Sequence, residues 1–258
     1  MTKNLKALFL DMDGVLWRDL QPIGDLPVNL QLAAEKGLQL AFITNNATRT
    51  VVHYLEIFAG FGLAINAEQI YTSAVTTAQM LKEMHPGGGN LFIVGENGLE
   101  DALTNQGFSI SAENPLAVVV ALDRQVTYEK LKQATLLVRA GIPFFGTNPD
   151  RTLPTPEGQV PGAGALIAAI ETATDAQATI IGKPQPAMLQ AAMRDLGLKP
   201  SDVLMVGDRL ETDIAAGQNA GCLTALVLSG ASTHEQAAAW KPSVDFIAPD
   251  LAALLQLL

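Results

Sequence analysis

Short apolar runs alternate with stretches of helical spacing along almost the whole chain. The runs are Lys6–Leu10, Leu38–Ile43, Asn90–Val94, Leu116–Ala121, Pro143–Phe145, Ala178–Ile181, Val203–Val206, Leu223–Leu228 and Phe246–Ala248. Apolar runs this short, bounded by turn signals, predict buried strands. Apolar positions recur at helical spacing over Leu26–Lys36, Thr50–Phe58 and Ser73–His85, and Gly37 stops the first of these. The alternation predicts an α/β fold with a mostly parallel sheet covered by helices.

Breakers divide the pattern. Pro86-Gly87-Gly88-Gly89 interrupts it after the third helix and points to a second domain. Asn148–Pro161 holds Pro149, Pro154, Pro156 and Pro161 in a polar stretch. It predicts a long surface loop, and loops of that length often carry function.

Composition narrows the class. Of 258 residues, 48% are hydrophobic and only 16% charged, enough apolar material for a sizeable core. The formal net charge is −10 and no Lys/Arg run offers a basic face, so duplex nucleic acid and anionic membrane are poor partners. The longest apolar run is far below the ~18 residues a membrane helix needs. The first apolar stretch runs quickly into Asp11 and Asp13, unlike a signal peptide. Cys222, the one cysteine, cannot form an internal disulfide. A cytoplasmic protein is expected.

Carboxylates at strand ends are the most informative chemistry. Asp11 and Asp13 follow the run Lys6–Leu10 and precede Gly14; Asp208 and Asp213 follow Val203–Val206. Ligands of open α/β sheets bind beyond the carboxyl ends of the strands. Any one of these residues alone reads as a turn or helix cap. Two acidic pairs in equivalent places read better as an oxygen-only site for Mg²⁺, because burying their charge is costly without a cation. Thr44-Asn45-Asn46 ends a third strand and either caps a helix or holds a phosphate on its hydroxyl and N–H groups. Lys183 follows a fourth strand, with Pro184 predicted in the first turn of a helix. It is either a solvated lysine or the counter-charge of the carboxylates.

Taken in order, Asp11-Met12-Asp13-Gly14, Thr44, Lys183 and Gly207-Asp208…Asp213 resemble the four motifs of the haloacid dehalogenase (HAD) superfamily of phosphatases. Phe42-Ile43-Thr44-Asn45-Asn46, Gly146-Thr147-Asn148-Pro149-Asp150 and the run from Val206 to Asp213 resemble the capped NagD-like and p-nitrophenyl phosphatase subgroup, with a C2-type cap. The resemblance spans nearly the whole chain. It implies a Rossmann-like, doubly wound parallel core at about 1–76 and 177–258, with a smaller α/β cap inserted at about 77–176.

The resemblance also implies roles. Asp11 is the nucleophile that becomes an aspartyl phosphate, and Asp13 is the general acid and then the base. Mg²⁺ is held by the Asp11 carboxylate, the Asp13 backbone carbonyl and Asp208. Asp213 lies outside these ligands, reaching the metal through water or steadying Lys183. Thr44, the Asn45 backbone and Lys183 hold the phosphoryl oxygens. Asn148 and Asp150, in the cap segment, are the candidates for substrate contact. The substrate class is a small phosphorylated metabolite, and a homodimer through the cap fits the family. A phosphotransferase or mutase uses the same aspartyl phosphate with a different acceptor. A receiver-like switch also places an aspartate, Mg²⁺, threonine and lysine together, but needs about half this length and has no counterpart of Asp13.

His53, His85 and His234 lack ligand spacing, and Cys222 reads as packing. Gly162-Ala163-Gly164 lacks the strand and acidic residue of a dinucleotide fingerprint. Trp17 and Arg18 line the crevice mouth or pack the loop, with nothing in the sequence to choose between these.

Overall fold

The computed structural model describes residues 5–155 and 157–258. The chain divides into two compact units. The first takes in the chain up to Thr44, Val52–Tyr71 and Lys183–Leu258; the second takes in Asn45–Val51 and Thr72–Gly182.

The first unit is built on a six-stranded sheet. Its strands run in the spatial order Phe246–Ala248, Leu223–Val227, Val203–Gly207, Ala7–Leu10, Gln39–Thr44 and Ile70–Thr72. Ala7–Leu10 pairs in parallel with Val203–Val206 on one side and with Gln39–Phe42 on the other. Ala7 and Phe9 face the helix Ala187–Leu196 through Met188, Leu189 and Ala192. Leu8 and Leu10 point the opposite way and are equally buried. A strand covered on both faces needs the continuous apolar run seen in the sequence. From Ala7–Leu10 the chain adds strands outward on one side, and from Val203–Gly207 it adds them outward on the other. These two neighbours therefore flank the point where strand order reverses, the place where open α/β sheets bind ligands.

The second unit carries a five-stranded sheet in the order Thr179–Ile180, Phe144–Gly146, Val118–Val120, Gly89–Val94 and Phe108–Ile110, with every pair parallel. Val94, Val118, Val120 and Phe144 pack against Ala134 and Val138 of helix Tyr128–Arg139 and Ile167 and Ile170 of helix Ala163–Thr174. Thr127 caps the first of these helices by accepting the Lys130 N–H.

Three local expectations change. Asn148–Pro161 is not a loop throughout: Thr152–Thr155 and Gly158–Pro161 form an antiparallel hairpin. Pro156 lies outside the described residues. Prolines survive in a two-stranded ribbon because half of its backbone groups have no ladder partner to lose. Pro184 does not open a helix; the Lys183–Pro184 bond is cis and the helix begins at Ala187. The three-residue strands Ile70–Thr72 and Phe108–Ile110 are additions to the predicted elements, too short to show a period in the sequence. Among the described residues, no helix is long and apolar enough to cross a membrane.

Candidate active site

Asp11 is the first residue past strand Ala7–Leu10, and its N–H extends the ladder to the Val206 carbonyl at 2.9 Å. Only 8% of the residue is exposed. The neighbouring strand ends at Gly207, which delivers Asp208 beside it, 4% exposed. Asp213 reaches back from a π-helical turn, Leu210–Ile214, in which the Ile214 N–H bonds the Arg209 carbonyl. Such turns widen the helix by one residue and are frequent at functional sites. One carboxylate oxygen from each of Asp11, Asp208 and Asp213 lies within 4.8 Å of the others.

Lys183 is the counter-charge. It is 1% exposed, and its Nζ donates to Asp11 Oδ1 at 2.5 Å and to the Ile43 carbonyl at 3.1 Å. It also pairs with Asp213 Oδ1 at 2.7 Å. The other oxygen of Asp213 accepts the backbone N–H groups of Asp208 (3.2 Å) and Arg209 (3.0 Å). With both oxygens engaged, Asp213 is placed to orient Lys183 and the Asp208 turn.

Electrostatics follow from burial and number. Three buried carboxylates face one ammonium. Burial pushes the Asp11 carboxyl well above its usual range; Lys183 opposes this, and Asp213 and Asp208 add to it. Burial, reinforced by Asp213, carries Asp208 up to about 7 against the Ala231 N–H, Arg209 and Lys183. Burial alone would lower Lys183, but Asp11 and Asp213 outweigh it and hold the ammonium above its ordinary value. The cluster lacks positive charge, and its oxygen-only donors suit a hard divalent cation.

A further segment completes the surroundings. The Ala231 N–H donates to Asp208 Oδ2 at 2.7 Å, the Ser232 N–H donates to the Asp208 carbonyl at 3.0 Å, and Ser229 Oγ donates to the Gly14 carbonyl at 2.7 Å. Residues 229–232 follow the apolar run Leu223–Leu228, and the small residues Ser229-Gly230-Ala231-Ser232 are the available signal. Gly14 has φ +90°, and a Cβ there would come within 2.5 Å of Asp208 Oδ2. Both the backbone and the close approach of the carboxylate require glycine.

The remaining predicted residues fall into two groups. Asp13 is exposed, and its Oδ1 accepts the Trp17 Nε1–H at 3.0 Å. Thr44 ends strand Gln39–Thr44 and is buried. Asn45 belongs to the second unit. There its carbonyl accepts from Ser73 Oγ (2.7 Å) and Asn148 Nδ2 (2.8 Å), and its own Nδ2 donates to Asp150 Oδ2 (3.2 Å). Asn148 Oδ1 accepts the Asp150 N–H at 3.1 Å. Asn45, Asn148 and Asp150 are thus brought into one network, and Ser73 is a member the sequence did not reveal. Trp17 is fully buried and packs its loop.

Comparison with known proteins agrees with this geometry. A family model described as haloacid dehalogenase-like hydrolase matches residues 8–109, and one described as HAD-hydrolase-like matches residues 180–254. The chain is 36% identical over 234 residues to an acid sugar phosphatase of Staphylococcus epidermidis, covering 90% of each chain. A p-nitrophenyl phosphatase from Archaeoglobus fulgidus superposes with a TM-score of 0.93 at 30% identity, over 99% of this chain and 100% of that one. NagD from E. coli K-12 superposes at 0.89 and 33% identity, over 96% and 98%.

Proposed function

The chain belongs to the haloacid dehalogenase-like hydrolases, in the branch of the NagD-like phosphatases, and from that premise we propose that it is a Mg²⁺-dependent phosphomonoesterase acting on a small phosphorylated metabolite through an aspartyl phosphate on Asp11. One observation carries the reading. The Asp11 carboxylate sits buried at the switch point of the sheet, held by Lys183, in a cluster that is short of positive charge.

Asp11, Asp208 and the Asp13 backbone carbonyl would hold the cation. When bound, it supplies the two positive charges the cluster lacks and lowers the repulsion between Asp11 and a phosphate dianion. Lys183 holds a phosphoryl oxygen while fixing the Asp11 carboxylate. Thr44 and the Asn45 N–H hold others. Asp11 attacks phosphorus; the bond from phosphorus to the ester oxygen breaks, and Asp13 gives that oxygen its proton. In the second step Asp13 takes a proton from water, the water oxygen attacks phosphorus, and the Asp11 carboxylate leaves. Splitting hydrolysis this way replaces one difficult step by two easier ones. Asp213 acts through Lys183 and the Asp208 turn.

The core at about 1–76 and 177–258 performs this chemistry, and the cap at about 77–176 selects the substrate. Asn148 and Asp150 contribute to that selection through Asn45, whose position they hold. The cytoplasm, where small phosphorylated metabolites and reduced cysteines coexist, is the site of action.

The test is phosphate release from sugar phosphates, glycerol phosphate, phosphoglycolate, pyridoxal phosphate and nucleoside monophosphates, with Mg²⁺ and with EDTA. Release depends on the metal, and Asp11→Asn lowers it by on the order of 10³-fold or more. Wild-type turnover in a variant shown by mass spectrometry not to have deamidated contradicts the nucleophile, and equal release in EDTA contradicts the metal.

A further inference from the structure

Asp13 differs from the other carboxylates of the site because it is exposed. An exposed aspartate samples several rotamers, and proton transfer needs one of them. Trp17 supplies one restraint. Its Nε1–H donates to Asp13 Oδ1 at 3.0 Å, and the ring is 0% exposed. Phe58 meets it edge-on, with centroids 5.3 Å apart, and Phe61 stacks on it at 5.8 Å. The indole therefore has little freedom.

The backbone around it is tied as well. The Gly14 N–H donates to the Trp17 carbonyl at 2.7 Å and the Leu16 N–H to the Met12 carbonyl at 2.8 Å. Trp17–Arg18 pairs antiparallel with Gln21–Pro22, and the Arg18 guanidinium donates to the Ser229 carbonyl. Ser229 in turn holds Gly14. The donor is thus anchored by a core aromatic cluster below and by the Ser229 segment beside it.

We infer that Trp17 is a positioning residue for proton transfer: its buried indole N–H fixes the Asp13 carboxylate in the rotamer from which it protonates the leaving oxygen. Tryptophan N–H is a donor only. Oδ1 of Asp13 is therefore the accepting oxygen of this bond, and the bond fixes the orientation of the carboxyl group. The inference rests on the reading of Asp13 as general acid and extends it to a residue that touches neither substrate nor metal.

Leaving-group dependence separates this role from a structural one. The nitrophenolate leaving group departs without much help from an acid, whereas an alkoxide needs its proton. The value kcat/KM reports the steps through leaving-group departure, so the second step does not mask the effect. The measurement is the ratio of kcat/KM for glycerol phosphate to that for p-nitrophenyl phosphate, in wild type, Asp13→Asn and Trp17→Phe. Each ratio uses one preparation, so a loss of folded protein cancels. Asp13→Asn lowers the ratio by roughly 10²-fold and Trp17→Phe by roughly 10-fold, a part of the full acid contribution. If Trp17→Phe does not fold, benzothienylalanine at position 17 keeps the bicyclic ring and replaces N–H by sulfur, with the same drop expected. A lowered ratio in Asp13→Asn with a wild-type ratio in the position 17 variants overturns the inference alone. A wild-type ratio in Asp13→Asn overturns the reading of Asp13, and the inference with it.

Discussion

Both parallel sheets place carboxylates beyond the carboxyl ends of their strands, and the two sets are treated in opposite ways. In the second unit Glu96 follows strand Gly89–Val94 and is gripped by Arg124, with Nε–Oε1 at 2.8 Å and a second bond to Oε2 at 2.6 Å. That bidentate bond holds the Glu96 carboxyl below its usual range. Asp123, past Val118–Val120, is buried and pairs with Lys130 at 2.7 Å. Each carboxylate there has its own cation. In the first unit Asp11 and Asp213 share Lys183, Asp208 lies beside them, and Asp11 and Asp208 are pushed up rather than down. Position at a strand end is common to both sets. Unbalanced buried charge distinguishes the functional one, because a fold keeps such charge only where something else neutralises it.

The contrast can be broken most forcefully at Lys183. Lys183→Met keeps the length of the side chain and removes the charge, leaving Asp11 and Asp213 without their partner. Removing one member of a buried pair costs about 3–5 kcal/mol, so urea denaturation without metal finds a much less stable protein, and turnover collapses with it. A stability within about 1 kcal/mol of wild type contradicts the account of Lys183. The matched change in the second unit is Arg124→Ala. The Arg124 side chain is 66% exposed, so solvent screens the pair and the cost stays below about 1 kcal/mol. The Mg²⁺ requirement does not move. A shift in that requirement would remove the distinction between the two sets.

Which of these features the sequence discloses follows from their range. Asp11 and Asp208 are legible because each ends a continuous apolar run, and the run dictates a buried strand in either sheet. Lys183 is legible as a strand-end lysine, but not as the partner of both Asp11 and Asp213, because those contacts are made only when distant strands assemble. The same holds for the Ala231 N–H on Asp208. Trp17 is ambiguous in the sequence because an aromatic beside a functional loop packs or exposes its ring with equal ease. Its bond to Asp13 resolves this: the ring is core and the N–H faces the site. The hairpin at Thr152–Thr155 and Gly158–Pro161 is hidden by prolines that usually mark irregular chain. Ile70–Thr72 runs straight into helix Ser73–Met84 and leaves no period to detect.

The most direct test of the unbalanced site is thermal unfolding of EDTA-stripped wild type and Asp208→Asn as Mg²⁺ is added, at pH 5 and pH 8. Metal-free stability has a defined sign. Asp11 and Asp208 are raised in the folded state, so their contribution is full below the unfolded carboxylate value and is lost as pH rises through about 7 for Asp208. Mg²⁺ works against this, because it needs the ionised form and competes with protons at pH 5. The account predicts that Mg²⁺ raises the wild-type midpoint, more at pH 8 than at pH 5, and that Asp208→Asn loses most of the rise. An equal rise in both proteins, or none in wild type, would contradict it.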